Sequence, residues 1–211
     1  MTWGQPVPPP PPGPPVPAGY PIAFTFDPPE RVARWRPLVH WLLAIPHYVV
    51  LWALGVVTSI VVVIAWFAGV FAGRVPEGLL SFIAMYTRYN ARVTNYLLFL
   101  QGDYPPFDFS TDFRDSGAYP HLRIDVAPQV TGRSRLTIFF RYFMVIPHAV
   151  VLFFIGIAAY VVMFIGFFAV LILGRWPAGL RSFMVGTQRW TTRVGAYFYL
   201  LTDEYPPFSF D

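Results

Sequence analysis

The chain has 211 residues, of which 55% are hydrophobic and 12% charged, roughly half the charged share of a soluble domain. All 15 basic residues are Arg, the formal net charge is +4, and there is no Cys. Disulfides, thiolate metal sites and Cys nucleophiles are therefore excluded, and no compact basic run or stacking-aromatic motif points to nucleic acid.

Residues 1–19 are dominated by Pro. They lack the basic and apolar regions of a signal peptide, and their composition predicts a disordered tail leaning to polyproline II. From Arg34 onward a shift of 101 residues aligns the rest of the chain with itself without a gap. Ile45-Pro46-His47 meets Ile146-Pro147-His148, and Gly55 meets Gly156. Gly73-Arg74 meets Gly174-Arg175, Arg88 and Arg92 meet Arg189 and Arg193, and Tyr104-Pro105-Pro106-Phe107 meets Tyr205-Pro206-Pro207-Phe208. Matches at Arg, Pro, Gly and His cannot come from apolar bias alone, so the chain reads as an internal repeat. The units are 20–109 and 121–211, with a polar linker over 110–120.

Each unit opens with a short alternating segment, Ile22 to Phe26 or Leu122 to Val126, which suits a strand. A basic cluster follows, either Arg31, Arg34 and Arg36 or Arg133, Arg135 and Arg141. Next comes a long apolar tract, in the first unit Pro37 to Gly73, with no formal charge. As one helix it would run about 55 Å, beyond a hydrocarbon core of about 30 Å. Two resolutions stand open. One is a hairpin of two short spans turning at Gly55 and Gly156. The other is an interfacial helix to Ile45, a break at Pro46 and one span from His47 to Phe71. Arg at both ends of each tract favours the hairpin, which keeps both ends on the cytoplasmic side.

After each tract, Glu77 to Leu100 or Ala178 to Leu201 carries helical periodicity. Leu79, Phe82, Tyr86, Val93 and Leu97 form one face, and Arg88, Arg92 and Asn95 another, as in a helix lying among headgroups. The expected fold is an all-α integral membrane protein of two tandem repeats. Each repeat is a transmembrane hairpin followed by an amphipathic interfacial helix, with short strands at the repeat edges.

Two residue sets offer chemistry. His47 and His148 occupy equivalent positions in the apolar tracts, where an ionisable group is a functional candidate. Facing each other, they could ligate a haem or metal through imidazole, although no further ligand cluster supports a metal and none is expected. Arg88, Arg92, Arg189 and Arg193 stand in pairs four residues apart, a spacing that lets one pair reach one phosphate or two headgroups. Asp103, Asp203 and Glu204 precede the Tyr-Pro-Pro-Phe turns and either pair with Arg or solvate a loop. No catalytic signature is present.

The residues Arg34-Trp35-Arg36-Pro37-Leu38, Trp41 to Tyr48, Gly174-Arg175-Trp176-Pro177 and Tyr205-Pro206-Pro207-Phe208 resemble a family of actinobacterial membrane proteins catalogued as a domain of unknown function. The resemblance implies a multi-pass protein of the inner membrane, and brings no activity or catalytic residue. The leading reading is a non-enzymatic scaffold or accessory subunit of an envelope or transport complex, with cytoplasmic termini. Its expected partners are membrane lipids, anionic ones included, and a membrane protein or a second copy, with no cofactor. The alternatives are a small oligomeric transporter or channel, and a bis-His haem or metal protein.

Overall fold

The computed structural model describes residues 19–211; apart from residue 19, the Pro-rich tail lies outside the described residues. The elements in chain order are β1 (Ile22–Phe26), α1 (Arg36–Leu43), α2 (Ile45–Ala72), α3 (Glu77–Leu97), β2 (Leu122–Val126), α4 (Arg135–Leu173) and α5 (Ala178–Phe198).

The tracts do not fold into hairpins. Gly55 and Gly156 both lie inside unbroken helix, which corrects the turn expected there. Around them the sequence offers no polar turn chemistry, so opening the helix would strip backbone groups of their bonds. An interior Gly costs only about 1 kcal/mol against Ala. The chain reverses instead at Gly73 (φ 66°) and Gly174 (φ 69°), left-handed helix ends whose N–H groups bond Gly69 O and Val170 O.

The break foreseen near Pro46 is present. Ala44 separates α1 from α2 while staying near helical angles, and its N–H bonds the His40 carbonyl at 2.9 Å. The second copy runs straight through Pro147, so α4 is a single helix of 39 residues. One copy thus has a one-residue interruption where the other is continuous helix.

The strands form where the alternation predicted them. They pair antiparallel with Phe24 opposite Ile124, Ile22 opposite Val126 and Phe26 opposite Leu122. Equivalent segments paired about their own midpoint place a pseudo-twofold axis through the Phe24–Ile124 pair. Each strand lies on the helix of the other repeat, β1 on α5 and β2 on α3.

Three layers result. The first is α1–α2 beside α4. These run antiparallel, because the end of each meets the start of the other: Val32 N–H bonds Gly174 O at 2.9 Å, and Trp66 Nε1 donates to Ile138 O at 3.1 Å. The second layer is α3 beside α5, each packed on the long helix before it. The third is a cap made of the sheet and the loops on either side of it. Core side chains gather between the layers, including Leu80, Ile83, Ile124, Val170 and Trp176. The far side of the first layer has no cover among the described residues. Trp52, Phe71, Leu136, Phe153, Tyr160 and Ile172 on it are each more than half exposed.

Candidate functional site

The expected polar face of α3 is not its solvent face: Arg88, Arg92 and Asn95 are buried, while of the expected apolar face Val93 is buried and Leu79, Phe82, Tyr86 and Leu97 are half-buried. The segment over 108–120 reaches back over α3 and supplies the counter-charges. Arg92 pairs with Asp108 at 2.9 Å and with Asp115 at 2.8 Å. Asp115 also accepts from Gly117 N–H at 2.9 Å and Ile124 N–H at 3.1 Å, which ties the network to β2. Arg88 donates to the carbonyls of Ser110, at 3.0 Å, and Asp112. Both guanidinium groups are therefore buried and engaged within the protein, and the free headgroup site expected of Arg88 and Arg92 is not formed.

The corresponding arginines of the second copy have different partners. Its Arg189 donates to Phe210 O at 2.9 Å and to Phe24 O on β1 at 3.4 Å. Among the described residues neither Arg189 nor Arg193 forms an ion pair. They line an open cleft of about 370 Å³ with Tyr20, Phe24 and Asp211, on the cap rather than on the apolar side.

A second network uses other residues. Asp203 sits between Arg133, at 2.7 Å, and Arg141. Arg141 also donates to the carbonyls of Tyr197 and, at 2.9 Å, Thr202. Burial pushes the Asp203 carboxyl up, but the two guanidinium groups outweigh it and hold it below the usual carboxylate range. Burial acts on Asp108 in the same sense; its bonds from Arg92, Ser110 N–H and Ser116 prevail and set it at about 2. Asp203 thus pairs, as one of its two readings had it, but with the Arg that opens its own tract.

His47 and His148 are fully buried, each in an aromatic cage. His47 shares a 2.6 Å hydrogen bond with the Tyr89 hydroxyl and stacks on Phe107 with centroids 4.4 Å apart. His148 Nδ1 accepts from Trp190 Nε1 at 3.2 Å and stacks on Phe208 at 3.9 Å. The cages are closed by Tyr104 and Tyr205, whose hydroxyls bond the carbonyls of Leu43 at 3.2 Å and Met144 at 3.1 Å. Each Tyr-Pro-Pro-Phe turn is therefore the wall of a cage. All these ring partners belong to the histidine's own repeat, so the two imidazoles are not a facing pair. No group of three or more metal-ligating side chains occurs among the described residues.

Sequence reasoning missed the 108–115 acids as partners of α3, and it missed Arg133 and Arg141 as the partners of Asp203. The signal available for the first was the cluster Asp108, Asp112 and Asp115, with Asp108 standing where the second copy has Ser209.

Taken together, the chain is a two-repeat helical protein with charged networks inside and two helices long and apolar enough to cross a membrane. It belongs to the family described as "Domain of unknown function (DUF4389)", whose model matches residues 34–108 and 135–209. No curated protein and no solved structure matches the chain.

Proposed function

We propose that this chain is a non-enzymatic protein of the inner membrane, a scaffold or accessory subunit that holds itself in lipid by its first layer and offers its cap to an envelope or transport complex. The observation that carries the reading is the division of surfaces. The uncovered side of α2 and α4 is apolar along its length, an area a monomer in water does not leave open. The buried ionisable groups of the described residues, by contrast, engage one another, the backbone or, for His148, the Trp190 indole. Arg31, Arg34, Arg74, Arg135 and Arg175 are exposed at the ends of the long helices, where they suit anionic headgroups.

The test is alkaline carbonate extraction of native membranes, followed by affinity capture in mild detergent at native expression. The expected result is a protein that stays in the pellet and elutes with a stoichiometric membrane partner. Release by carbonate would remove the membrane reading, and elution as a lone monomer would remove the scaffold.

A further inference from the structure

We infer that α2 and α4 lie flat in the membrane, side by side within one leaflet, with the pseudo-twofold axis along the membrane normal and the cap facing water. The inference rests on the membrane reading above and adds to it the orientation and the occupant of the apolar side, the acyl chains of a single leaflet.

Three observations carry it. The first is length. A helix of 39 residues, such as α4, measures about 58 Å, against a core of about 30 Å. Its exposed apolar side chains run from Leu136 and Phe143 at one end to Ile172 and Leu173 at the other. Upright, nearly half of that surface would stand in water. Fitting it by tilt needs about 60°, where spanning helices tilt by about 0–40°. Lying flat covers all of it, and a helix about 10–12 Å thick matches one leaflet's share of the core.

The second is the level of the cap. The Tyr86 hydroxyl lies against Gly55, and Tyr89 bonds His47. Arg88, between them on α3, is therefore beside the middle of the first tract. Arg88 holds Ser110 and Asp112, and Thr111, Asp112 and Ser116 around it are exposed. In an upright protein this irregular, charged loop would face lipid at the centre of the bilayer, where backbone without regular pairing and exposed Asp are not tolerated. In the flat arrangement the α3–α5 layer separates the loop from lipid.

The third is charge. Arg31, Arg34 and Arg175 are exposed at one end of the antiparallel layer, and Arg74 and Arg135 at the other. Upright, basic clusters of three and two Arg would flank the two faces of the membrane, against the preference of Arg for one side. Flat, every cluster meets the same leaflet. This satisfies the constraint that had favoured a hairpin, with no turn at Gly55.

The chain has no Cys of its own, so single-Cys variants of the full protein report directly. Glu30→Cys and Thr131→Cys mark the two ends, Thr111→Cys the cap, and Leu136→Cys, Ile157→Cys and Ile172→Cys the length of α4. Membrane-impermeant maleimide is applied from each face of native vesicles. A fluorophore on the α4 positions is then read against nitroxide-labelled phosphatidylglycerol in reconstituted vesicles. The expected result is labelling of residues 30, 131 and 111 from one common face, and comparable quenching by a shallow nitroxide at all three α4 positions. Labelling of residues 30 and 131 from opposite faces would overturn the flat seat while leaving the membrane reading intact. Loss of quenching at residue 157 in a membrane-bound protein would overturn it in favour of a second copy on that side. A protein left in the supernatant with residue 157 freely labelled would remove the membrane reading as well.

Discussion

Where the first repeat carries His40, the second carries Arg141, and both reach for the same carbonyl. His40 Nδ1 lies 2.7 Å from Tyr96 O with its ring stacked on Tyr96; Arg141 donates to Tyr197 O with its guanidinium 4.4 Å above the Tyr197 ring. Around them the copies diverge together. Asp203 and Arg133 stand where the first repeat has Gly102 and Val32. A buried ion triad in one copy is thus replaced in the other by a histidine stacked on Tyr96, with the Arg36 guanidinium beside Gly102 and no carboxylate, on the same backbone. The first repeat places its own buried charges elsewhere, at Arg88 and Arg92, where Asp108, Asp115 and the carbonyls of Ser110 and Asp112 meet them. The lesson is that each copy brings carboxylates or backbone carbonyls to its buried guanidinium groups wherever it places them.

Breaking the triad should have the largest effect. Asp203→Leu leaves Arg133 and Arg141 buried without a counter-charge, and the expected loss is about 3–5 kcal/mol, read as a fall in the thermal midpoint of the detergent-solubilised protein. The equivalent Gly102→Ala meets only the flexible end of Arg36, 2.8 Å from the added Cβ, and is expected to cost far less. Equal losses for the two variants would mean that the repeats do not differ in the way their side chains suggest.

Acid should then dissolve both networks. Asp108 and Asp203 have folded values below their ordinary 3.8, so the folded state binds fewer protons than the unfolded one. The stability they contribute is complete above about 3.8 and is lost as pH falls through the folded values, for Asp108 at about 2. Midpoints measured from about pH 5 to about pH 2.5 should fall steadily, and Asp108→Asn should remove the first repeat's share. A flat profile would show that neither carboxylate is coupled to folding.

Much of this was legible in the chain itself. The strands over 22–26 and 122–126 and the helices opening at Glu77 and Ala178 agree with their sequence patterns, because alternation and a preceding Pro are local signals. The repeat was legible because its Arg, Pro, Gly and His positions are demanding. What was not legible came from long-range placement. Arg88, Arg92 and Asn95 look like a solvated face until residues 108–115 fold over them. Gly55 looks like a turn until the uninterrupted backbone pairing on both sides of it is weighed. Asp203 has Arg133 and Arg141 as partners 70 and 62 residues away, a distance no spacing rule covers.

A steric difference between the copies predicts a smaller effect. Trp176 donates to Phe99 O at 3.0 Å and fills the space over Gly166, where a Cβ would lie 1.9 Å from its ring. The first repeat has Ala65 and Val75 at these positions. Gly166→Ala should therefore overpack the joint between the long helix and the turn after it and cost about 1–3 kcal/mol. Gly166→Ala combined with Trp176→Val recreates the first repeat's pair, and should recover part of that loss. No recovery in thermal melts would show that Trp176 is held for its bond to Phe99 rather than for its fit to Gly166.

The smallest effect distinguishes the two cages. A Trp indole can only donate, so the 3.2 Å bond from Trp190 requires His148 Nδ1 to be without a proton, and a neutral His148 carries its proton on Nε2. Tyr89 can donate or accept, so the 2.6 Å bond to His47 leaves that ring free to adopt either form. Nitrogen-15 spectra of the histidines should show His148 in the Nε2–H form alone. Trp190→Tyr should give His148 the freedom of His47 while changing stability by less than about 1.5 kcal/mol, the scale of a single hydrogen bond. An Nδ1–H signal from His148 in the unaltered protein would contradict this, and the difference between the cages would then be one of shape, not of proton placement.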